Sequence, residues 1–194
     1  MPSEPRPDSS PDPSPDPRAA AVLAHAEAAP PTLGAGRLIC IDGLAGAGKT
    51  TLATSLVALT GAPVIHADEL LEGWRGLPGL GATIDALLRP LAEGRPSAWR
   101  RWDWHADGWA ETHPIAPAPL LIIDGVGSGA AAYDDLITTL VWLEADRDLR
   151  LARGLARDGE GMRADWVQWL DDEAALHARE RTRDRADLVY STSV

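Results

Sequence analysis

A glycine-rich run near the start of the chain constrains its fold more than any other feature. The run lies between an apolar segment at residues 38–41, which predicts a β-strand, and residues 51–59, which predict a helix. It fits the pattern GxxxxGK[ST] at every fixed position and reads Gly43-Leu44-Ala45-Gly46-Ala47-Gly48-Lys49-Thr50. A strand, this run and a helix in succession predict a P-loop at one edge of a parallel sheet.

The residue types in this run are those that bind a nucleoside triphosphate. Glycines allow successive backbone N–H groups to point inward at phosphate oxygens, and the following helix adds the partial positive charge of its N-terminus. Lys49 supplies a point charge for the β- and γ-phosphates, and the hydroxyl of Thr50 is placed to ligate Mg²⁺. We therefore expect ATP and Mg²⁺ as cofactors, with residues 43–50 and the adjacent Thr51 holding the nucleotide.

The composition excludes several other classes of protein. A formal net charge of −11 argues against a surface that binds nucleic acid, because phosphate contacts need clustered Lys and Arg. The chain has no Asn, which excludes the Asn-Lys-x-Asp motif of GTPases and the catalytic loop of protein kinases. Its one cysteine, Cys40, lies in a predicted strand and has no second cysteine with which to form a disulfide.

The N-terminal region differs in composition from the rest. Residues 1–17 alternate Pro with Asp and Ser, and residues 18–29 are rich in alanine and form either a short helix or a linker. We expect a disordered tail over residues 1–32 and a single P-loop domain over residues 33–194. The acidic start is unlike a secretory signal and no apolar run reaches the length of a membrane span, so we expect a cytoplasmic protein without membrane contact.

Predicted strands and helices alternate from residue 36 onward. Strands are predicted at residues 37–42, 64–66, 120–123, 139–143 and 188–190, and helices at 48–60, 82–91, 146–158 and 164–183. This alternation is typical of α/β proteins with helices on both faces of a sheet. The expected fold is a P-loop three-layer αβα fold with a mostly parallel five-stranded sheet, a short lid and, on the side of the phosphoryl acceptor, a helical insertion.

Two aspartates follow predicted strands, at the edge of the sheet where ligands bind in open α/β folds. Asp124 ends the apolar strand 120–123, where P-loop proteins place an acid that orients Mg²⁺ through water; the alternative is a cap for the next turn. Asp68 follows the second strand, a position from which a carboxylate can accept a proton from an attacking hydroxyl; the alternative is a cap for residues 69–71.

Several of these segments together resemble one branch of the P-loop kinases. Residues 41–51 are similar to the kinase loop with its doubled threonine, 66–70 to the segment of the catalytic base, 122–126 to the strand ending in acid and glycine, 150–158 to the lid, and 186–189 to the closing strand. The chain resembles the uridine kinase and phosphoribulokinase branch, and most of all bacterial uridine kinase-like ATP-binding proteins, over about residues 37–192. This resemblance implies a kinase whose catalytic base is Asp68.

Three arginines in the lid-like segment, Arg150, Arg153 and Arg157, are spaced so that they share one face of a helix. In the family, arginines of this segment close over the phosphates, where guanidinium groups stabilise the charge of the moving phosphoryl group. We therefore predict that they are catalytic together with Lys49 and Asp68; the alternative is a solvated basic stripe. Gly154 stands where the family usually has a further arginine.

The acceptor-binding residues are predicted from a less specific similarity. Residues 100–104 resemble the aromatic-Asp-aromatic segment of the family's nucleoside pocket, which makes Arg101, Trp102 and Asp103 candidates for holding the acceptor beside Asp68. A tryptophan stacks on a base and an aspartate accepts hydrogen bonds from sugar hydroxyls; the alternative for the tryptophans is packing in the core. The histidine and arginine that usually follow in nucleoside-phosphorylating members are not at matching places.

The sequence thus predicts a kinase that transfers the γ-phosphoryl group of ATP to a hydroxyl of a nucleoside or another small metabolite. The expected partner is this small-molecule acceptor, and the oligomeric state is left open. Two alternatives stay open: a regulatory module that binds ATP without catalysis, and a nucleoside monophosphate kinase. The second needs a basic clamp for the acceptor's phosphate, for which the available residues are Arg75, Arg89, Arg95, Arg100 and Arg101.

Overall fold

The strands and helices of the fold follow the apolar segments of the sequence closely. The computed structural model describes residues 16–193. In chain order the strands are β1 (Arg37–Gly43), β2 (Val64–His66), β3 (Ser97–Asp103), β4 (Gly108–Ile115), β5 (Leu120–Asp124), β6 (Thr139–Glu144) and β7 (Leu188–Ser191). The helices are α1 (Pro17–Ala28), α2 (Lys49–Thr60), α3 (Leu80–Ala92), α4 (Arg147–Asp158), α5 (Arg163–Glu180) and α6 (Thr182–Arg185).

The main sheet has the strand order β2-β5-β1-β6-β7, and each pair of neighbours in it is parallel. The predicted mostly parallel, five-stranded sheet in a three-layer αβα fold is confirmed. Because the strands run the same way, their carboxyl ends lie at one edge, where ligand crevices form in such folds. The register places Asp124 of β5 opposite Ile41 of β1 and His66 of β2 at this edge.

Each face of the sheet is buried by a different set of helices. Alternate residues of a strand point to opposite faces, so Cys40 and Ile123 pack with α3 and α5, whereas Ile39 and Ile122 pack with α1 and α2. This double burial explains the continuous apolar runs of the central strands. Within residues 16–193, no helix is both long enough and apolar enough to cross a membrane.

The N-terminal helix α1 corrects the predicted boundary between tail and domain. The tail was expected over residues 1–32, but residues 17–28 form a helix that packs on α2 and β6. Ala19, Val22 and Ala26 recur at helical spacing and are fully buried, which gives this short helix a core-facing side. The folded domain therefore includes α1, and the first fifteen residues lie outside the described part of the chain.

Replacing Val22 by aspartate is expected to destabilise the whole domain, because the carboxylate would lie unpaired among apolar side chains of α2 and the sheet. We expect a loss of about 3 kcal/mol in the free energy of unfolding, or about 8 °C in Tm. Ala24→Asp is the matched control, since Ala24 lies on the exposed side of the same helix. Equal melting temperatures for the two variants would show that α1 is not part of the cooperative unit.

The insertion between β2 and β5 is helical only in part. Helix α3 confirms the helix predicted at residues 82–91, but β3 and β4 form an antiparallel hairpin that was not predicted. Trp102 of β3 is buried, while its neighbours Arg101 and Asp103 stay half-buried. Only one face of the hairpin is largely buried. Its strands therefore carry charged residues and lack the continuous apolar run that is typical of the central strands of the main sheet.

Candidate active site

The P-loop connects β1 to α2 by a path that requires glycine. Gly43 has φ of 127°, and a Cβ atom there would lie 2.0 Å from the carbonyl oxygen of Leu143. Gly46 has φ of 77°, and a Cβ atom there would lie 2.9 Å from the carbonyl oxygen of Arg150. Both positions combine a left-handed backbone with a close approach to a neighbouring chain segment, which a side chain would prevent. The glycines of the motif therefore place the loop tightly between β6 and α4.

The carbonyl oxygens of residues 43–47 each accept a hydrogen bond from a side chain of the protein. Lys49 Nζ donates to the carbonyls of Gly43 (2.8 Å) and Leu44 (2.9 Å). Arg150 donates to the carbonyl of Ala45 (3.2 Å), Arg153 to that of Gly46 (2.9 Å) and the Thr192 hydroxyl to that of Ala47 (3.0 Å). Because the acceptors of the loop are satisfied from within the protein, the loop presents a surplus of donors to a ligand.

The donors concerned are the backbone amides at the end of the loop and the start of α2. Five of these N–H groups have no hydrogen-bond partner within residues 16–193. They belong to Gly46, Gly48, Lys49, Thr50 and Thr51. Such a group of unpaired N–H groups at a helix N-terminus forms an anion-binding site, which the helix dipole reinforces. The predicted nucleotide loop therefore has the backbone arrangement that phosphate binding needs.

Lys49 is the one lysine of the chain, and its side chain is almost completely buried, with 7% of its surface exposed. Burial lowers the pKa of its ammonium group, while the carboxylates of Glu173, Asp42 and Asp124 oppose this shift. Its two hydrogen bonds hold the ammonium group against the loop itself. The carboxylates favour the charged form of the amine, and burial means that little water screens its attraction to a phosphate.

Thr50 and Asp124 meet at the carboxyl edge of the sheet. The hydroxyl of Thr50 donates to Asp124 Oδ2 at 2.9 Å, and the ring of His66 hydrogen-bonds the other carboxylate oxygen, Oδ1. This bond with Asp124 raises the pKa of His66 to about 9. His66 was not predicted as a site residue, although its place at the end of β2, in register with Asp124, is a signal that the strand pattern contains.

The oxygens of Thr50 and Asp124 fit a magnesium ion and not a dedicated metal centre. Among residues 16–193, no group of three or more His, Cys, Asp or Glu side chains is placed to hold a metal. Magnesium usually takes one or two protein oxygens and completes its shell with water and substrate phosphates. A hydroxyl and a carboxylate in contact beside unpaired loop amides provide that donor set.

Asp42 fixes the P-loop to the loop that follows β5. Its carboxylate is fully buried and accepts three backbone N–H groups, from Gly43 (2.6 Å), Gly127 (2.8 Å) and Gly129 (2.8 Å). The strand ends that carry the phosphate loop and Asp124 are therefore joined by one charged group. This role of Asp42 is not visible in the sequence, because a buried structural carboxylate has the same sequence signature as any strand-end aspartate.

Asp68 lies in the 3₁₀ turn Ala67–Leu70, directly after β2, and its side chain is exposed. The turn is capped by His66 without a side-chain hydrogen bond, so the alternative role of Asp68 as a cap is wrong. Within residues 16–193, the Asp68 carboxylate has no hydrogen-bond partner, while its carbonyl oxygen accepts the indole N–H of Trp104 at 3.1 Å. An exposed carboxylate at this edge of the sheet is accessible to a substrate hydroxyl.

The three predicted lid arginines lie on α4 beside the P-loop, but each has a protein partner. Arg150 is buried and bonds Glu173 and the carbonyl of Ala45, so a solvated stripe does not describe it. Arg153 bonds the P-loop at Gly46. Arg157 pairs with Asp158, which raises its pKa, and the more distant charge of Asp68 adds to this shift.

Gly154, where the resemblance leads one to expect a further arginine, lies against the ring of Trp166. A Cβ atom at Gly154 would lie 2.5 Å from the ring carbons of Trp166, which is closer than side chains pack. Trp166 is buried and donates its indole N–H to Asp158 at 2.9 Å, so it has little room to move. At this position, where the family usually has an arginine, the ring of Trp166 therefore occupies the space beside α4.

Gly154→Ala is expected to destabilise the protein although alanine has the better helix propensity. The clash with Trp166 outweighs the gain of about 1 kcal/mol in propensity, and we expect a net loss of about 2 kcal/mol, or about 5 °C in Tm. Gly161→Ala is the control, because no atom lies within 4 Å of the added Cβ. A Gly154→Ala variant that melts at or above the wild-type temperature would contradict this packing.

The predicted acceptor residues lie on the hairpin and bond mainly within it. Arg101 forms an ion pair with Glu111 of β4 (2.6 Å), and Asp103 accepts the backbone N–H groups of His105 (2.9 Å) and Ala106 (3.0 Å) in the hairpin loop. Trp102 is buried and packs edge-on against Trp109, with ring centres 5.2 Å apart. The structure therefore gives Asp103 and Trp102 contacts within the hairpin, whose strand β3 packs next to the turn that carries Asp68.

A cluster of four tryptophans lies on the acceptor side of the site. Trp74 is central to it, and its ring centre lies 5.6 Å from Trp104, 6.3 Å from Trp166 and 5.7 Å from Trp169. Trp166 and Trp169 belong to the buried core. Trp104 is 37% exposed and bonds the carbonyl of Asp68, so it forms the wall of the site next to that residue.

Comparisons with known proteins support the fold. No protein-family model matches the sequence, and no curated protein matches it significantly. A solved structure described as a possible uridine kinase from Bacillus stearothermophilus superimposes with a TM-score of 0.59 at 19% identity, covering 89% of this chain and 97% of that one. A protein assigned as a fructose transport system kinase from Silicibacter sp. TM1040 has a TM-score of 0.59 at 21% identity, over 89% and 98% of the two chains.

The match covers nearly the full length of both solved proteins. At these identities the likeness establishes the architecture and leaves the acceptor open. The chain therefore has the three-layer αβα fold of these two solved structures, with a P-loop between β1 and α2.

Proposed function

We propose that the protein is an ATP-dependent kinase that transfers the γ-phosphoryl group to a hydroxyl of a small metabolite. The observation that carries this proposal is the surplus of unpaired amides in the P-loop, next to Lys49 and the hydrogen-bonded pair of Thr50 and Asp124. These groups match the parts that phosphoryl transfer needs for binding the triphosphate. The exposed Asp68 at the same edge of the sheet supplies the remaining part, a proton acceptor.

Residues of this chain account for each change in the reaction. The acceptor oxygen forms a bond to the γ-phosphorus, the bond to the bridging oxygen breaks, and ADP leaves. Asp68 takes the proton of the acceptor hydroxyl, and Lys49 and the loop amides hold the phosphate oxygens. Mg²⁺ held by Thr50 and Asp124 supplies charge neutralisation on the phosphates when bound.

Of the three lid arginines, Arg157 is the one we assign to the moving phosphoryl group. Arg150 and Arg153 donate to carbonyls of the P-loop. Arg157 instead pairs with its neighbour Asp158 and lies over the ring of Trp166, 5.6 Å from its centre, and the charges of Asp158 and Asp68 raise its pKa. Exchanging an exposed partner for a phosphate costs a guanidinium group little, since exposed ion pairs contribute little to stability.

The charges of the insertion favour an uncharged acceptor over a nucleoside monophosphate. Four of its five arginines are already ion-paired or bonded to hairpin carbonyls, so the described residues hold no preassembled group of free arginines for an acceptor phosphate. Arg75 alone has no partner within residues 16–193. Arg89 pairs with Asp85 and Asp135, Arg95 with Glu93 and Arg101 with Glu111, and Arg100 donates to carbonyls of the hairpin. We therefore propose a nucleoside or a sugar-like metabolite as the acceptor, with the protein acting in the cytoplasm, where ATP is present.

The test is ADP release from Mg·ATP with a panel of nucleosides, nucleoside monophosphates and sugars, since the two solved proteins of this fold are described as kinases of uridine and of fructose transport. Stimulation by a nucleoside or a sugar supports the proposal and identifies the acceptor class. Stimulation by monophosphates alone would contradict the uncharged acceptor. Tight ATP binding without stimulation by any acceptor would favour a regulatory module instead.

A further inference from the structure

Glu173 is a buried carboxylate that sequence analysis gave no function. It lies in the middle of α5 with none of its surface exposed, so its charge needs partners inside the protein. Its Oε2 accepts the backbone N–H of Ala45 at 2.7 Å, and its Oε1 accepts a hydrogen bond from the guanidinium of Arg150. Glu173 of α5 thereby links Arg150 of α4 to Ala45 of the P-loop.

Arg150 completes this arrangement by binding the carbonyl group of the same residue, Ala45. Its Nη1 donates to the carbonyl of Ala45 at 3.2 Å, and its Nε donates to the carbonyl of Ala145 at 3.0 Å. The N–H and the C=O of Ala45 are thus held by two residues that are also bonded to each other. Charge-assisted hydrogen bonds of this kind are stronger and more directional than neutral ones, so they restrict the orientation of the loop.

The charge of Glu173 also acts on the ammonium group of Lys49. The carboxylate is the largest of the groups that offset the effect of burial on the pKa of the Lys49 ammonium group. Lys49 and Arg150 in turn favour the ionised form of Glu173, whose pKa burial raises. Helix α5 holds this carboxylate in place because Trp166 and Trp169 fix the helix in the core, and a rigid element positions a functional group more accurately than a loop.

We propose that Glu173 is a positioning residue for nucleotide binding, which sets the P-loop through Ala45 and keeps Arg150 on the loop instead of on the phosphates. Glu173 touches no substrate in this role. It orients the segment whose later amides bind the triphosphate and supports the charge of Lys49. Arg150, predicted from the sequence to be catalytic, becomes part of the same positioning pair. This inference rests on the proposed binding of ATP.

The test compares Glu173→Gln with the matched control Asp172→Asn, which neutralises an exposed carboxylate on the same helix that bonds only Gln168. In Glu173→Gln the new NH₂ group faces either Arg150 or the Ala45 N–H, both of which are donors. We expect its Kd for Mg·ATP, measured by calorimetry, to rise about tenfold, with a smaller change in kcat at saturating ATP. Asp172→Asn should bind as the wild type does.

An unchanged Kd for Glu173→Gln, with wild-type Mg·ATP binding intact, would overturn the inference and leave the proposed function standing. If the wild type itself binds no Mg·ATP, the proposed function fails and the inference fails with it. A fall in kcat alone for Arg150→Gln would also overturn it, because Arg150 would then act on the phosphates.

A second variant covers the case in which Glu173→Gln does not fold. The double variant Glu173→Gln, Arg150→Met removes both buried charges, which proteins tolerate better than the loss of one. We expect the double variant to bind Mg·ATP as weakly as whichever of the two single variants folds, since the two residues act as a unit. A wild-type Kd in the double variant would overturn the proposal.

Discussion

Asp68→Asn is expected to lower kcat for acceptor phosphorylation by about a thousandfold, because the amide cannot accept the proton of the attacking hydroxyl. The substitution keeps the size of the side chain, which is exposed and bonds no other group within residues 16–193. Stability and the Kd for Mg·ATP should therefore stay at wild-type values. The measurement is steady-state ADP release at saturating ATP and acceptor, together with calorimetric ATP binding.

Glu69→Gln provides the control for this result, since it neutralises the neighbouring carboxylate in the same turn. It should keep the wild-type kcat. If Asp68→Asn turns over acceptor as fast as the wild type, the catalytic base lies elsewhere. If it loses ATP binding as well, Asp68 has a structural role that its exposed position does not suggest.

Lys49→Ala is expected to reduce kcat/KM for ATP by about a thousandfold, because it removes the one buried cation that reaches the phosphates from the loop itself. It also removes the hydrogen bonds to the carbonyls of Gly43 and Leu44, so the loop should become less ordered. We therefore expect a higher Kd for Mg·ATP in addition to a lower kcat, in contrast to Asp68→Asn.

Arg163→Ala is the matched loss of a positive charge, since Arg163 is exposed and pairs only with Glu160. Its kinetics should equal those of the wild type. Wild-type ATP turnover by Lys49→Ala would be incompatible with a P-loop mechanism. A melting curve for each variant separates this effect from a general loss of folding.

The sequence predicted the centre of the main sheet because β1, β5 and β6 are apolar runs buried on both faces. The strand 120–123 and the run before the P-loop carry that pattern, and the structure places both at the centre of the sheet. The hairpin at 97–115 was not predicted because it is buried on one side only. Helix α1 was assigned to a tail because its core-facing residues are mostly alanines, whose small size gives a low apolar signal.

In the candidate site, the local motif was easier to predict than the partners it acquires in space. The P-loop residues and Asp124 follow from the strand, loop and helix order. The contacts of Arg150 with Glu173, and of His66 with Asp124, join elements far apart in sequence, and no local pattern encodes them. The same limit explains why Arg101, Trp102 and Asp103 matched a pocket segment by composition while folding into a hairpin with its own internal bonds.

The support of the P-loop by distant residues has a consequence for biosynthesis. Glu173 lies 128 positions after Ala45, and Thr192 lies 145 positions after Ala47, whose carbonyl it holds. Contacts that close such long loops form late in folding, and a growing chain folds from its N-terminal side first. The phosphate loop therefore emerges from the ribosome long before the residues that shape it. ATP bound as proposed would stabilise only chains in which the loop is finished, so it would protect completed molecules and leave incomplete ones to degradation.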